Sequence, residues 1–145
     1  MKKILFSLLA LACVACSKTQ KTDDVVIRII DEDMFSQCFT DCDTDGDGIV
    51  TKAEAENAKI LVLDRGGRLN IIEDYTFLRA FPNLEALSVG NTTLETIDLS
   101  ANAHLQRLNL QNALWINTLI LAPDCNPEIL YPQGIDSVTI VKIRS

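Results

Sequence analysis

The stretch Leu94-Glu-Thr-Ile-Asp-Leu-Ser-Ala-Asn-Ala-His-Leu-Gln-Arg-Leu-Asn-Leu110 decides the fold, because it holds two successive copies of the spacing L-x-x-L-x-L. The same spacing, with valine or isoleucine at some positions, occurs at Leu84, Leu87 and Val89, at Ile116, Leu119 and Leu121, and at Ile135, Val138 and Ile140. Two units together span about 21 residues, within the range of repeats that stack short parallel strands. We therefore predict that residues 60–145 form such a stack, closed by a strand over Ser137–Lys142.

The segments between the repeat units carry their own signals. Ile60–Leu63 is too short for a helix and is followed by a Gly-containing turn, so it predicts a buried strand. Asp74–Asn83 predicts a connection with a short helix, and Pro123–Gly134, which contains three prolines, predicts a long loop. We expect Trp115 to pack at the edge of the leucine register and His104, the only histidine, to be exposed.

Upstream of the repeats, residues 43–54 read Asp-Thr-Asp-Gly-Asp-Gly-Ile-Val-Thr-Lys-Ala-Glu, the spacing of a twelve-residue calcium loop. The predicted Ca²⁺ ligands are the side chains of Asp43, Asp45, Asp47, Thr51 and Glu54 and the carbonyl of Ile49. Gly48 permits the sharp turn that such a loop makes, and Val50 is expected to anchor the loop to the core. An acidic turn without a metal is the alternative, but it would not require every ligand position to be filled.

The residues beside this loop predict an EF-hand, the helix-loop-helix unit in which such loops occur. The first helix should begin at Asp31 and bury one stripe, which consists of Met34, Phe35, Cys38, Phe39 and Cys42. The second should begin with a capping box, Thr51 to Glu54, and end near Lys59. The β-branched run Val25–Ile30 predicts an extended strand. Since the sequence holds no second loop, we expect the loop to find its partner among the residues that follow it.

The first residues predict export. Lys2, Lys3 and the apolar run Ile4–Ala12 are typical of a signal peptide, here 1–15, which is too short to span a bilayer. A cysteine at the cleavage point resembles the lipidation site of bacterial lipoproteins. We assign lipidation to Cys16; lipidation of Cys13 and an ordinary secreted protein cut near Ala15 are the alternatives. Residues 16–24 are polar after the cysteine and predict a flexible tether.

Charge and cysteine content limit the possible partners. The formal net charge of −7 becomes −9 when the two lysines of the signal peptide are removed. Such an acidic chain disfavours nucleic acid, and we expect membrane contact through the lipid anchor only. The mature domain keeps Cys38, Cys42 and Cys125. Cys38 and Cys42 are one helical turn apart, a geometry that seldom suits a disulfide, so buried thiols are favoured over a bridge.

The units Glu95–Asn102 and Leu105–Leu110 resemble the L-x-x-L-D-L-S-x-N and L-x-x-L-x-L units of bacterial surface leucine-rich-repeat lipoproteins. Several of these proteins carry an EF-hand directly upstream as an N-terminal cap, and internalins have a related helical cap there. The resemblance covers Phe35–Ile143 and implies an α/β fold, a short leucine-rich-repeat solenoid over 60–145 capped by an EF-hand over 25–59. The asparagine that ends the repeat unit of these proteins is present at Asn102. The equivalent positions of the other units hold Thr92, Ala113 and Asp124.

The resemblance implies a binding module of the bacterial cell envelope, an outer-membrane lipoprotein that faces the periplasm or the surface. Its partner would be an unknown protein or glycan. The side chains beside the strand leucines would form the binding face, namely Glu85, Ser88, Gln106, Arg107, Asn109 and Thr118. A structural or accessory subunit of an envelope complex is the alternative. A hydrolytic enzyme is less favoured, because the sequence contains no G-x-S-x-G or phosphate loop and only one histidine.

Overall fold

The computed structural model describes residues 24–30, 32–64, 72–90 and 92–143. The predicted signal peptide (1–15), the lipidation site Cys16, the tether up to Asp23 and the predicted helix start at Asp31 lie outside the described residues. The elements are β1 (Val25–Arg28), α1 (Met34–Gln37), β2 (Ile49–Thr51), α2 (Lys52–Asn57), β3 (Ile60–Val62), a 3-10 helix (Thr76–Ala80), β4 (Ala86–Ser88), β5 (Thr96–Leu99), β6 (Arg107–Asn109), β7 (Thr118–Leu121), β8 (Glu128–Leu130) and β9 (Thr139–Lys142). Within the described ranges, no helix has the length and apolar content required to cross a bilayer.

Most strands belong to two parallel sheets. Strands β3, β4, β6 and β8 form one sheet in that order, and β5, β7 and β9 form the other. From β4 onward, consecutive strands belong alternately to the two sheets, so each turn of the chain adds one strand to each. The fold is therefore mixed α/β with few helices and sheets of parallel strands, which confirms the predicted class and strand direction.

The register of both sheets follows the sequence period. The residues in register are Leu87, Leu108 and Ile129 in the first sheet and Ile97, Leu119 and Ile140 in the second. Side chains alternate across a strand, so these residues all point to the same side of their sheet. Leu108 and Leu119 are fully buried, and burial of such a side chain contributes about 1.5–3 kcal/mol.

The prediction of a long loop over Pro123–Gly134 was wrong, because β8 lies within it. The prolines do not prevent the strand, since Pro127 precedes it and Pro132 follows it, where no ladder hydrogen bond is lost. Ile129 lies 21 residues after Leu108, its partner in β6. The 21-residue spacing of the repeat therefore predicts this strand, although the prolines obscured it. The predictions of a strand near 60–63, a short helix in 74–83 and a closing strand near 137–142 are confirmed.

Buried polar side chains bond each turn to the one before it. The Asn102 side-chain amide donates to the carbonyl oxygens of Leu78 and Phe81 at 2.9 and 2.8 Å. The Thr92 hydroxyl donates to the carbonyl of Ile72 at 2.7 Å. A hydrogen bond of this kind contributes about 0.5–1.5 kcal/mol, so these bonds stabilise the corners between the strands.

Cys125 has the corresponding place in the next turn. Its thiol is buried and donates to the carbonyl oxygens of Asn102 and Leu105 at 3.7 and 3.5 Å. Asp124, expected from its spacing to be the equivalent of Asn102, is exposed instead. Cys125 follows Leu121 by four residues, whereas Asn102 follows Leu99 by three. Because of this extra residue, Cys125 and not Asp124 points into the core. A thiol is a weaker donor than an amide, and this corner is bonded less strongly.

The helices of the N-terminal region are shorter than predicted. Helix α1 ends at Gln37, and the chain continues to Cys42 through turns, with the Cys42 amide donating to the Phe39 carbonyl at 2.8 Å. Asp33, and not the predicted Asp31, caps α1 by accepting from the Phe35 amide at 3.0 Å. Helix α2 ends at Asn57 and begins with the predicted capping box.

The loop strand β2 pairs with a strand that precedes it. Ile27 of β1 pairs with Val50 in antiparallel register, so the backbone partner of the loop lies upstream. The partner surface expected downstream is supplied by Phe77 and Phe81. The backbone of β1 supplies the hydrogen bonds that a second calcium loop would otherwise provide to β2. Val50 is fully buried, which confirms its role as the apolar anchor.

Aromatic rings join this N-terminal region to the parallel sheets. Phe35 and Phe39 contact Phe77 with centroid distances of 5.6 and 5.4 Å, and Phe39 also contacts Phe81 at 5.9 Å. Phe77 lies in the 3-10 helix before β4, and Phe81 directly follows that helix. The cluster therefore fixes the N-terminal region against the connection between β3 and β4. The two pairs with Phe77 are edge-to-face, and such a pair adds about 0.5–1.5 kcal/mol to the effect of burial. The predicted core role of Phe35 and Phe39 is confirmed.

Trp115 does not pack against the leucine register as expected, since it is 65% exposed. It lies with Leu114 in the turn between β6 and β7, where Ala113 and Ile116 take the inward positions. His104 is exposed, as predicted. Cys38 and Cys42 are both buried, which confirms the expectation that they lie in the interior.

Candidate metal centre and outer sheet face

Three loop aspartates come together in the structure. One oxygen from each of Asp43, Asp45 and Asp47 lies within 4.8 Å of the other two. A donor set made of carboxylate oxygens suits a hard divalent cation rather than a soft one. These three side chains could therefore hold a metal ion.

Backbone amides shape this loop around Asp43. Its Oδ1 accepts from the amides of Gly46 and Asp47 at 2.8 and 3.2 Å, and its Oδ2 accepts from Gly48 at 2.9 Å. Gly46 and Gly48 have φ angles of 70° and 80°, which a side chain with a Cβ rarely adopts. The two glycines thus let the amides reach the carboxylate.

Glu54, the last predicted ligand, occupies a different position. Its Oε1 accepts from the amide and hydroxyl of Thr44, both at 2.8 Å. Its Oε2 accepts from the amide and hydroxyl of Thr51 at 2.9 and 2.8 Å. Among the described residues, the group of adjacent carboxylates consists of the aspartates without Glu54. The structure therefore places Glu54 as a bridge between the two ends of the loop.

These hydrogen bonds also determine the charge of Glu54. Burial favours the neutral acid, but the donors from Thr51 and Thr44 outweigh it and lower the pKa of Glu54 to about 2. The carboxylate is thus ionised over the whole physiological range. Cys42 lies nearby, and burial together with the charges of Asp41 and Glu54 raises its pKa to about 11, so its thiol stays protonated.

The predicted binding face is divided between two sheets. Ser88, Arg107 and Asn109 lie on the outer side of the sheet β3-β4-β6-β8, and Glu85 and Gln106 directly precede two of its strands. Thr118 lies in β7, in the other sheet, so its inclusion in one continuous face was wrong. Since alternate units feed different sheets, its unit contributes to the second face.

Residues that the sequence did not single out complete the first face. Together with Ser88, Arg107 and Asn109 they line a groove of about 470 Å³, and they include Ile60, Val62, Ala86, Glu128 and Leu130. Their registers explain the arrangement, because Ala86 pairs with Arg107 and Arg107 with Glu128. The signal in the sequence was again the spacing of 21 residues.

Polar contacts hold part of this face in place. Lys59 forms an ion pair with Glu85 at 3.0 Å, and the Ser88 hydroxyl donates to the Asp64 carboxylate at 3.0 Å. The ion pair is solvent-exposed and contributes little to stability, whereas the Ser88 hydrogen bond is partly buried. Their effect is to orient side chains at the margin of the groove.

No protein-family model matches the chain, and neither the curated proteins nor the solved structures contain a match. The geometry of the loop and of the outer face is therefore the basis for the function.

Proposed function

We propose that the chain is a calcium-binding, lipid-anchored protein of the bacterial cell envelope that presents a leucine-rich-repeat surface to a protein or glycan. The parallel strands would form a short solenoid like those of bacterial surface lipoproteins, and the EF-hand over 25–59 would cap it. Lipidation at Cys16 would anchor the chain in the outer membrane, facing the periplasm or the surface. The protein acts by binding rather than by catalysis.

The groove on the outer face of the four-stranded sheet is the observation that carries this function. It combines the apolar Ile60 and Val62 with the polar Ser88, Arg107 and Asn109, a mixture typical of binding sites. Because strand pairing holds these side chains in place, a partner would lose little binding energy in ordering them.

The bound ion in this proposal is Ca²⁺. Its ligands are the side chains of Asp43, Asp45, Asp47, Thr51 and Glu54 and the carbonyl of Ile49, and the ion neutralises the carboxylates that the loop gathers. Extracellular calcium modules bind at about 10⁻⁴–10⁻³ M. Calcium outside the cell therefore keeps such a site occupied, and the ion has a structural role.

Partner capture with defined variants tests the binding face. The full lipoprotein in detergent would be exposed to envelope and host extracts, beside Arg107→Glu in the groove and Thr118→Glu on the other sheet. We expect the wild type and Thr118→Glu to retain one partner and Arg107→Glu to lose at least about tenfold of it, since a reversed charge at a buried contact costs more than about 1.4 kcal/mol. Equal retention by all three chains would contradict the proposal.

A structural subunit of an envelope complex is the second candidate, and the last strand favours it. Ile140 is 46% exposed, whereas Ile97 and Leu119, in register with it, are 1% and 0% exposed. An exposed apolar edge strand is a place where another subunit can add a strand. A partner retained by Arg107→Glu but lost from Val141→Lys would support this candidate.

A further inference from the structure

Strands β8 and β9 lie at the same end of the stack, each as the last strand of its sheet. Among the described residues, no strand pairs with the outer edge of either one. An unpaired edge presents a row of backbone N–H and C=O groups that can pair with a further strand. This β8/β9 end therefore offers two strand edges at once, one from each sheet.

The β8/β9 end also leaves the interior of the stack open. Ile129 and Ile140 hold the inward positions of the two strands, in register with fully buried leucines of the preceding strands. Ile129 is only half-buried, and Ile140 is exposed. The exposed apolar side chains beside them are Leu130, Val141 and Ile143. Such a surface is stabilised when a second apolar surface covers it.

The separation of the two edges determines what can cover them. A partner that pairs with both has to present two strand edges at the distance between β8 and β9. The β8/β9 end of a second copy of this chain has that distance by construction. A two-fold axis perpendicular to the sheets places β8 beside β8 of the copy and β9 beside β9 of the copy, with both pairs antiparallel.

The side chains fit this arrangement. When the strands pair about Ile129 and Ile140, each of these residues meets its own counterpart, and the two open cores close on each other. Glu128 then lies opposite Leu130 of the copy, and Lys142 likewise lies opposite an apolar residue. Neither charged residue of the two strands therefore faces its own kind, a contact that would destabilise the pairing.

We propose that the chain forms a two-fold dimer through the β8/β9 end, so that both sheets continue from one copy into the other. Pairing uses the strand edges and leaves the outer face with its groove exposed in each copy. Because the axis is perpendicular to the sheets, the two grooves lie on the same side of the dimer. The consequence for binding rests on the proposed function: a repeating protein or glycan occupies both grooves at once, which raises its avidity.

Sedimentation of the full lipoprotein in density-matched detergent tests the dimer. The mass should rise from one chain to two with increasing protein concentration and should grow no further, because a two-fold interface is closed. Val141→Lys places a lysine at the edge of β9 in both copies, and we expect the dimer Kd to rise at least about tenfold. Leu114→Lys is the matched control, since Leu114 is an exposed apolar residue in the turn between β6 and β7. Its Kd should equal that of the wild type.

A disulfide across the axis tests the register separately. Opposite residues of antiparallel strands have Cα atoms about 4.5–5.5 Å apart, a distance that suits a disulfide. Ile140→Cys oxidised with diamide should therefore form a covalent dimer, whereas Leu114→Cys should not. Circular dichroism would show that each variant is folded, and Thr139→Lys on the same exposed strand replaces Val141→Lys if the latter does not fold.

A mass of one chain at every concentration would overturn the inference, as would a dimer that Val141→Lys and Leu114→Lys weaken equally. Unlimited growth into larger assemblies would also contradict a closed two-fold interface. These outcomes leave the partner-capture test with Arg107→Glu unaffected, because that variant changes the groove and not the strand edges. Conversely, a dimer that captures no partner would refute the proposed function and leave the interface in place.

Discussion

The acidic loop and the stacked strands are built on opposite principles. The loop places polar groups that are close in sequence around one carboxylate, and amides from Gly46 to Gly48 supply the contacts. The strands place apolar groups that are 21 residues apart in direct register, as Leu87 and Leu108 show. The comparison indicates that changes in the loop should have small, condition-dependent effects, whereas changes in the strands should have large effects under all conditions.

Leu108→Ala should give the largest effect. Leu108 is fully buried in the sheet between Leu87 and Ile129, and its truncation leaves a cavity that costs about 2–5 kcal/mol. Urea denaturation would measure the loss, with the exposed neighbour Arg107→Ala as control. A loss below about 1 kcal/mol, the scale of exposed positions, would show that the repeat core is not close-packed.

Asn102→Ala should rank second. It removes two hydrogen bonds, to the carbonyl oxygens of Leu78 and Phe81, while the amides of Phe81 and Leu84 still donate to these oxygens. Each lost bond contributes about 0.5–1.5 kcal/mol. The exposed Asn112→Ala is the control, since among the described residues its amide makes a single long contact, 3.4 Å to Asp64. Equal denaturation midpoints for Asn102→Ala and Asn112→Ala would show that the buried hydrogen bonds of Asn102 do not stabilise the fold.

Calcium removal should have a smaller effect. At 1 mM calcium and a Kd of about 10⁻⁴–10⁻³ M, binding stabilises the fold by about 0.4–1.4 kcal/mol. A chelator should lower the melting temperature of the wild type and of Leu108→Ala equally, but should not affect Asp45→Asn. If the wild type melts at the same temperature with and without chelator, the loop does not stabilise the fold through calcium.

The pH dependence of Glu54 should be the smallest effect. Its pKa is lowered from 4.5 to about 2 in the folded state, so its contribution is complete above pH 4.5 and is lost as the pH falls toward 2. Glu54→Gln should therefore melt below the wild type at pH 6 and approach it near pH 2. Parallel melting curves for the two proteins over this range would assign the acid sensitivity to other carboxyl groups.

Much of the architecture could be predicted from residue spacing. The leucine period predicted parallel strands, and the capping box predicted the start of α2 at Lys52. These features depend on the type and interval of residues, which a sequence displays directly. The gathering of Asp43, Asp45 and Asp47 was predictable for the same reason.

Other features depend on contacts that spacing describes only in part. Proline content obscured β8, although Pro127 lies just outside it. The extra residue before Cys125 moved the inward position away from Asp124, and no local signal marks that shift. The position of Glu54 depends on hydrogen bonds from Thr44 and Thr51, and the ligand spacing of the motif does not encode the bond to Thr44.

The buried thiol of Cys125 gives the chain an internal reporter of its own dynamics. Burial raises the pKa of this thiol, against the opposing charge of Lys142, so reagents that require the thiolate react slowly with it in the closed fold. Lys142 of β9 donates to the Cys125 carbonyl. The thiol itself contacts the carbonyl oxygens of Asn102 and Leu105, so its rate of alkylation would measure how often this corner between the strands opens.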